Sequence, residues 1–260
     1  MSAGGGEATV AVAFDRPRQK DDAAALAASL GLPVAKGFRD PHDLHLVLDR
    51  TDRLALRVNA PDHPLSGGHD VVADLLALDV SSAAGRKLRT PLLKAVGIRK
   101  GEPHRPRVID ATGGFGEDAW LLAAQGCRVD LVERHPVVHA LLADALRRAA
   151  DDPAGGPIAA RVTLHLSDAA TFLAGHITEV VTLDPMFPLG RKAQEKKPMR
   201  VLRWLVGDAA DDESALFDAA RAAASRRVVV KRPRLAPPLV PNPAPTHAHV
   251  GKALRFDLYA

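Results

Sequence analysis

From Arg107 onward the chain repeats one order of elements: a short apolar strand, a turn, and a helix. Val108 and Ile109 lead into a glycine-rich turn, a helix is predicted over Glu117–Ala124, and a second strand follows at residues 128–132. Strands that alternate with helices in this way pair in parallel, because each helix carries the chain back to the starting edge of the sheet. The pattern predicts an α/β fold with a mainly parallel sheet and helices on both faces.

The remaining segments extend this pattern and add a smaller unit before it. We predict helices at residues 136–150 and 212–225, and strands at residues 162–166, 179–183, 227–231 and 254–259. Nearer the start, a strand at residues 9–13 and a helix at residues 21–30 precede two alternating segments, 44–49 and 54–59, which predict a hairpin. We expect a small α+β unit over residues 1–80, a connecting segment with a helix over 81–106, and the main domain over 107–260.

Composition limits the class of protein. The chain has 260 residues, of which 47% are hydrophobic and 25% charged, which is typical of a globular protein. No apolar run is long enough to cross a bilayer, and the first residues lack a signal-peptide pattern, so we expect a cytoplasmic protein without a membrane partner. The single cysteine, Cys127, excludes an internal disulfide and a cysteine-based zinc site, and we expect it to be buried. No metal is predicted.

Polar residues follow each predicted strand of the main domain. Gly113, Gly114 and Gly116 come after the first strand and allow a tight turn that presents amides at a helix start. Glu133 follows the second strand, where an acid can accept hydrogen bonds from both ribose hydroxyls of an adenosine. Ser167 and Asp168 follow the third strand and could hold the adenine edge, although a helix cap is the simpler reading.

Charge distinguishes two adenosine-containing cofactors. A nicotinamide dinucleotide would favour the glycine order G-x-G-x-x-G, whereas Glu117 and Asp118 follow directly after Gly116 here. Two acids at the helix start would repel a pyrophosphate. They suit a ligand with a sulfonium and an ammonium group, and Asp110 adds to the negative surroundings. We therefore predict an S-adenosyl-L-methionine site, with S-adenosyl-L-homocysteine as the product.

The segment Asp184-Pro185-Met186-Phe187-Pro188 follows the fourth strand. An acid–proline turn with an aromatic residue, placed at a strand end, is typical of methyltransferases that act on planar amines. Asp184 could accept hydrogen bonds from an exocyclic amine. Phe187 could simply belong to the core, but its position in the turn favours stacking on a base. We predict Asp184, Pro185 and Phe187 as the catalytic residues.

With these residues in hand, the chain closely resembles the ribosomal small-subunit methyltransferase J family. The resemblance runs from about Leu92 to the C-terminus, and its most specific segments are residues 108–119, 126–138 and 183–188, followed by 197–201, 227–233, 236–239 and 251–260. It implies a class I, Rossmann-like S-adenosylmethionine-dependent methyltransferase that modifies the N2 amino group of a guanosine in 16S rRNA. Cofactor contacts would carry over to Glu117, Asp118, Glu133, Arg134, Ser167, Asp168 and Asp184.

The implied partner is 16S rRNA or the 30S ribosomal subunit. Basic residues that could contact the rRNA backbone are Lys231, Arg232, Arg234, Lys252 and the group between Arg191 and Arg200. Two alternatives stay open at this point. One is a methyltransferase with another amino target, such as adenine N6 or a protein glutamine. The other is a non-catalytic ribosome-assembly factor that binds S-adenosylmethionine.

Overall fold

The structure, a computed structural model, describes residues 8–37, 40–186, 196–207 and 213–260. The described elements, in chain order, are β1 (Val10–Phe14), α1 (Lys20–Leu30), β2 (Leu44–Leu48), β3 (Leu54–Val58), α2 (Ala83–Val96), β4 (Arg107–Asp110), α3 (Glu117–Ala124), β5 (Arg128–Glu133), α4 (Pro136–Ala150), α5 (Gly156–Ala159), β6 (Val162–Leu166), α6 (Ala169–Ala174), β7 (Thr178–Leu183), α7 (Lys197–Val206), α8 (Glu213–Ala223), β8 (Ala224–Pro233), β9 (His247–Val250) and β10 (Leu254–Tyr259).

The chain divides into two compact units. The first takes its residues from Met1–Ala73, His135–Ala145 and Pro188–Ala209, and the second from Asp74–Arg134, Leu146–Phe187 and Ala210–Ala260. The boundaries at residues 80 and 106 stay a prediction.

The first unit contains the expected hairpin. Its three-stranded sheet has the order β1-β2-β3, with β1 parallel to β2 and β2 antiparallel to β3. The turn between β2 and β3 is closed by the Asp49 carboxylate, which accepts hydrogen bonds from the backbone N–H groups of Thr51 at 2.7 Å and Arg53 at 3.1 Å. Asp52 has φ +61°, a conformation that aspartate tolerates better than most residues.

The second unit is built on a seven-stranded sheet in the order β6-β5-β4-β7-β8-β10-β9. Strands β6, β5, β4, β7 and β8 are parallel, whereas β10 runs antiparallel to β8 and to β9. The sequence first adds strands on one side of β4 and then on the other, so the order reverses between β4 and β7. Ligands of open α/β sheets bind at such a switch point, beyond the carboxyl ends of the strands.

Apolar side chains from the central strands form the core of this unit. Ile109, Val181 and Val228 lie on neighbouring strands and are at most 2% exposed. Helix α8 covers them, and Phe217 on this helix meets Tyr259 edge-on, with ring centroids 4.7 Å apart. Cys127 is fully buried, and burial raises the pKa of its thiol to about 11, which confirms the expectation of an inert, packed side chain.

The structure confirms the α/β fold but differs from the predicted elements at the junction between α8 and β8. Helix α8 ends at Ala223 instead of residue 225, because Ala224 pairs with Thr178 and Ser225 donates a hydrogen bond to the Thr178 carbonyl at 2.9 Å. Strand β8 is accordingly longer than predicted. The sequence analysis also missed α5, α6, α7 and β9, and α5, α6 and β9 are too short for a clear periodicity.

Candidate active site

The glycine-rich turn after β4 is folded tightly against the end of β5. Gly114 and Gly116 have φ values of +51° and +72°, which glycine adopts without strain. A Cβ atom on Gly113 would lie 2.9 Å from the carbonyl oxygen of Val132 and 3.2 Å from Cβ of Glu133. The turn therefore requires glycine at position 113 because the neighbouring strand leaves no room for a side chain.

Glu133 is directed at this turn. Its Oε2 atom accepts a hydrogen bond from the backbone N–H of Gly114 at 3.0 Å. The backbone N–H of Gly113 donates to the Val132 carbonyl at 2.9 Å, so the turn and the end of β5 are held at two points. Arg134, the next predicted site residue, is exposed. The structure thus brings the predicted acid and the predicted glycine turn together.

Ser167 and Asp168 lie beside Glu133, at the end of β6. The backbone N–H of Ser167 donates to the Glu133 carbonyl at 3.1 Å. Asp168 is the N-cap of α6, because its Oδ1 atom accepts a hydrogen bond from the backbone N–H of Thr171 at 2.9 Å. The helix-cap reading of Asp168 is therefore correct, and a carboxylate that caps with one oxygen keeps a second one for a ligand.

Asp184 lies across the switch point from the glycine turn. Its backbone N–H donates to Oγ1 of Thr112 at 2.6 Å, which ties the end of β7 to the loop after β4. Its carboxylate forms an ion pair with Nζ of Lys231 at 2.9 Å, and the same ammonium contacts Oδ2 of Asp118 at 2.9 Å. Pro185, which follows Asp184, is buried. The predicted acceptor turn and the predicted donor helix are thus joined through one lysine.

Lys231 and Thr112 are functional candidates whose roles the sequence analysis missed. Lys231 was a candidate for an rRNA contact; its side chain is 22% exposed and is held between two carboxylates, so its direct contacts are within the protein. For Arg232 an rRNA contact is wrong, because this residue is 2% exposed and donates to the Pro237 carbonyl at 3.1 Å.

The electrostatics of the site are set by three carboxyls around one ammonium. Asp110 is 5% exposed, and burial, together with the charges of Asp118 and Asp184, raises its pKa well above the ordinary value. Partial loss of water around its carboxylate, together with the charge of Asp118, raises the pKa of Asp184, although Lys231 opposes the shift and the side chain is 47% exposed. Burial disfavours the charge on Lys231, but Asp118 and Asp184 outweigh it and raise the pKa of Lys231 above its usual range. The carboxyls outnumber the ammonium, which suits a cationic ligand.

The remaining predicted residues are exposed, belong to the first unit or lie outside the described residues. Glu117 is exposed in the first turn of α3. Phe187 falls outside the described residues, as do Arg191 and Lys192 of the basic group. In the first unit, the Lys197 ammonium donates to the carbonyls of Gly67 and His69. Within the described ranges there is no group of three or more His, Cys, Asp or Glu side chains suited to a metal, nor a helix long and apolar enough to span a membrane.

Comparisons with known proteins agree with this geometry. A family model described as a putative SAM-dependent methyltransferase matches residues 26–260. A crystal structure of a SAM-dependent methyltransferase from Neisseria gonorrhoeae superposes with a TM-score of 0.68 at 30% identity, covering 96% of each chain. The fold and the site define a class I S-adenosylmethionine-dependent methyltransferase.

Sequence relatives narrow the assignment further. Ribosomal RNA small subunit methyltransferase J of Thioalkalivibrio sulfidiphilus is 44% identical over 245 residues, covering 92% of this chain and 93% of the relative. The protein of the same name from Pseudomonas aeruginosa (strain UCBPP-PA14) is 49% identical over 172 residues, covering 65% of this chain and 64% of the relative. The chain belongs to the ribosomal RNA small subunit methyltransferase J family, which confirms the resemblance.

Proposed function

We propose that this protein transfers a methyl group from S-adenosyl-L-methionine to the exocyclic N2 amino group of a guanosine in 16S rRNA. The observation that carries the proposal is the position of Asp184, which lies at the switch point and is tied to the glycine-rich loop through Thr112. The names of the sequence relatives support small-subunit rRNA as the substrate. Such a substrate would be met in the cytoplasm, on 16S rRNA or on the 30S subunit.

The residues at the ends of β4, β5 and β6 fit the methyl donor. The close approach of Gly113 to β5 brings the backbone of the turn against Glu133, which would accept hydrogen bonds from the ribose hydroxyls. Ser167 and Asp168 would hold the adenine, and Glu117, Asp118, Arg134 and Asp184 complete the proposed donor site. The bound donor supplies an electrophilic methyl group on a positively charged sulfur. The carboxyls around Lys231 favour that charge.

Asp184 would act on the acceptor. Its carboxylate accepts a hydrogen bond from the N2 amine and thereby orients the nitrogen toward the methyl group. The lone pair of this amine is delocalised into the guanine ring, so orientation contributes more than a strong base would. As the new N–C bond forms, the electrons of the broken C–S bond would stay on the donor's sulfur, and Asp184 would take the proton that the amine releases. Lys231 holds the carboxylate in position and favours its ionised form.

Pro185 would fix the turn that presents Asp184, since the ring restricts the backbone and the residue is buried. Stacking of the target base on Phe187 stays a prediction. A base can reach such a site only when it is splayed out of its RNA context.

The test is methyl incorporation from labelled S-adenosylmethionine into 30S particles and naked 16S rRNA, both taken from a strain that lacks the gene. We expect Asp184→Ala to abolish transfer while calorimetry still detects donor binding. Asp151→Ala, which changes an exposed acid of the same unit, is the matched control and should remain active. Near-normal transfer by Asp184→Ala would refute the role of Asp184. Donor binding by the wild-type protein without any transfer would instead favour an assembly factor.

A further inference from the structure

A turn at residues 233–237 lies at the same edge of the sheet as Asp184. Strand β8 is parallel to β7, and Val230 pairs with Leu183, the last residue of β7. The chain therefore passes the carboxyl edge of β7 within a few residues of Lys231 and enters the turn there. The turn begins shortly after the lysine that contacts Asp184 and lies at the same edge of the sheet as the proposed acceptor site.

Two arginines hold the backbone of this turn. Arg255 donates to the carbonyl of Arg234 at 2.9 Å and to that of Ala236 at 2.6 Å. Arg255 is itself fixed by Asp257, which is 1% exposed and accepts hydrogen bonds at 2.7 and 2.9 Å. Arg232 donates to the Pro237 carbonyl at 3.1 Å. The conformation of the turn is thus determined by the fold below it.

This fixed turn displays a leucine to solvent. Leu235 is 93% exposed, the highest exposure among the large hydrophobic residues of the described chain. It lines a shallow cavity of about 410 Å³ together with Pro233, Arg234, Lys252 and Ala253. An exposed apolar side chain contributes nothing to the core, and a rigid backbone lowers the entropic cost of binding. Both features are expected of a residue that inserts into a binding partner.

The charges around Leu235 indicate what the partner is. Arg234 and Lys252 are exposed, and the segments 233–238 and 250–254 contain no acidic residue. This combination of cations with a protruding apolar residue suits a polyanion that has apolar surfaces between its charged groups. RNA has this character, because its phosphates lie outside a stack of bases.

We propose that Leu235 is a wedge that enters the base stack of the substrate RNA next to the target guanosine, while Arg234 and Lys252 contact the flanking phosphates. The inference rests on the proposed function, since a target base must leave its stack before its amine can reach Asp184. The leucine fills the space that the base vacates and slows its return. Leu235 is therefore a positioning residue for the acceptor.

The first experiment compares Leu235→Ala with Leu235→Met, which keeps an apolar side chain of similar size. Ile177→Ala is the matched control: Ile177 is 74% exposed and precedes Thr178, the first residue of β7, at the opposite edge of the sheet. We expect Leu235→Ala to lower the single-turnover rate on naked 16S rRNA by about tenfold, since the leucine offsets part of the cost of unstacking one base step. Leu235→Met and Ile177→Ala should stay near wild type, and donor affinity and melting temperature should not change in any variant.

The second experiment measures binding to in vitro transcribed 16S rRNA at several salt concentrations. Arg234→Gln and Lys252→Gln should each reduce the slope of log affinity against log salt by about 0.7–0.9, whereas Leu235→Ala should weaken binding without changing the slope. Ile177→Ala is the control in this experiment too, and equal behaviour of Leu235→Ala and Ile177→Ala in both experiments would overturn the proposal. A loss of affinity for 30S particles without a loss of affinity for naked 16S rRNA would also overturn the proposal, because a ribosomal protein would then be the partner. If the wild-type protein transfers no methyl group, the proposed function fails, and the binding experiment still decides on the wedge.

Discussion

Lys231→Met removes the ammonium that joins Asp184 to Asp118. Removing one partner of a buried ion pair costs about 3–5 kcal/mol, but the Asp184 side chain is 47% exposed, so water takes up part of its charge and we expect about 2–3 kcal/mol. The loss should also disfavour the ionised form of Asp184, because Lys231 lowers the pKa of that carboxyl. The acid limb of the pH–rate profile should therefore move to higher pH.

The assays are chemical denaturation and methyl transfer to 30S particles between about pH 5 and 9 with saturating donor. Asp118→Asn is the informative comparison, since Asp118 raises the pKa of Asp184 and its loss should move the acid limb to lower pH. Lys100→Met, at an exposed position of the same unit, should change stability by less than about 0.5 kcal/mol. Unchanged stability and an unchanged acid limb in Lys231→Met would refute the reasoning.

Three further substitutions test the surroundings of the site. Gly113→Ala should cost about 1–3 kcal/mol of stability and weaken donor binding in calorimetry, since its Cβ would lie 2.9 Å from the Val132 carbonyl; wild-type values would show that the turn can shift. Asp110→Asn should raise the melting temperature at pH 8 and not near pH 4, because burial raises the pKa of Asp110 and its ionisation costs stability as the pH rises; a pH-independent difference would contradict this. Glu133→Gln should weaken donor binding about tenfold or more without unfolding the protein, and equal affinities would exclude the ribose contact.

The sequence allowed the strand-end residues of the site to be located before the structure was known. Glu133 and Asp184 each follow an apolar run, and the carboxyl ends of parallel strands meet at one edge, so their proximity to the glycine turn follows from the strand pattern. Helices and strands with a clear pattern in the sequence, such as α3 and α4, were also predicted correctly. The family resemblance added the choice of acceptor, which no spacing of residues could supply.

The role of Lys231 could not be predicted in this way. Its partner Asp118 is 113 residues away in the chain, and the sheet order β4-β7-β8 brings the loop and helix after β4 close to the end of β8. Charged residues near the end of a strand are usually solvated, which made an RNA contact the plausible reading of Lys231 and Arg232. Both are instead largely covered, because Lys231 lies between Asp118 and Asp184 and Arg232 donates to the Pro237 carbonyl. The short helix α6 was not predicted, although Asp168 was recognised as a possible helix cap.

The central claim is methylation of guanine N2 in small-subunit rRNA. Mass spectrometry of nuclease-digested 16S rRNA from a strain that lacks the gene tests it most directly. We predict that one N2-methylguanosine is missing and that the wild-type gene restores it, whereas the Asp184→Ala gene does not. A complete set of N2-methylguanosines in the deletion strain, or loss of a methyl group from another nucleoside, would contradict the account.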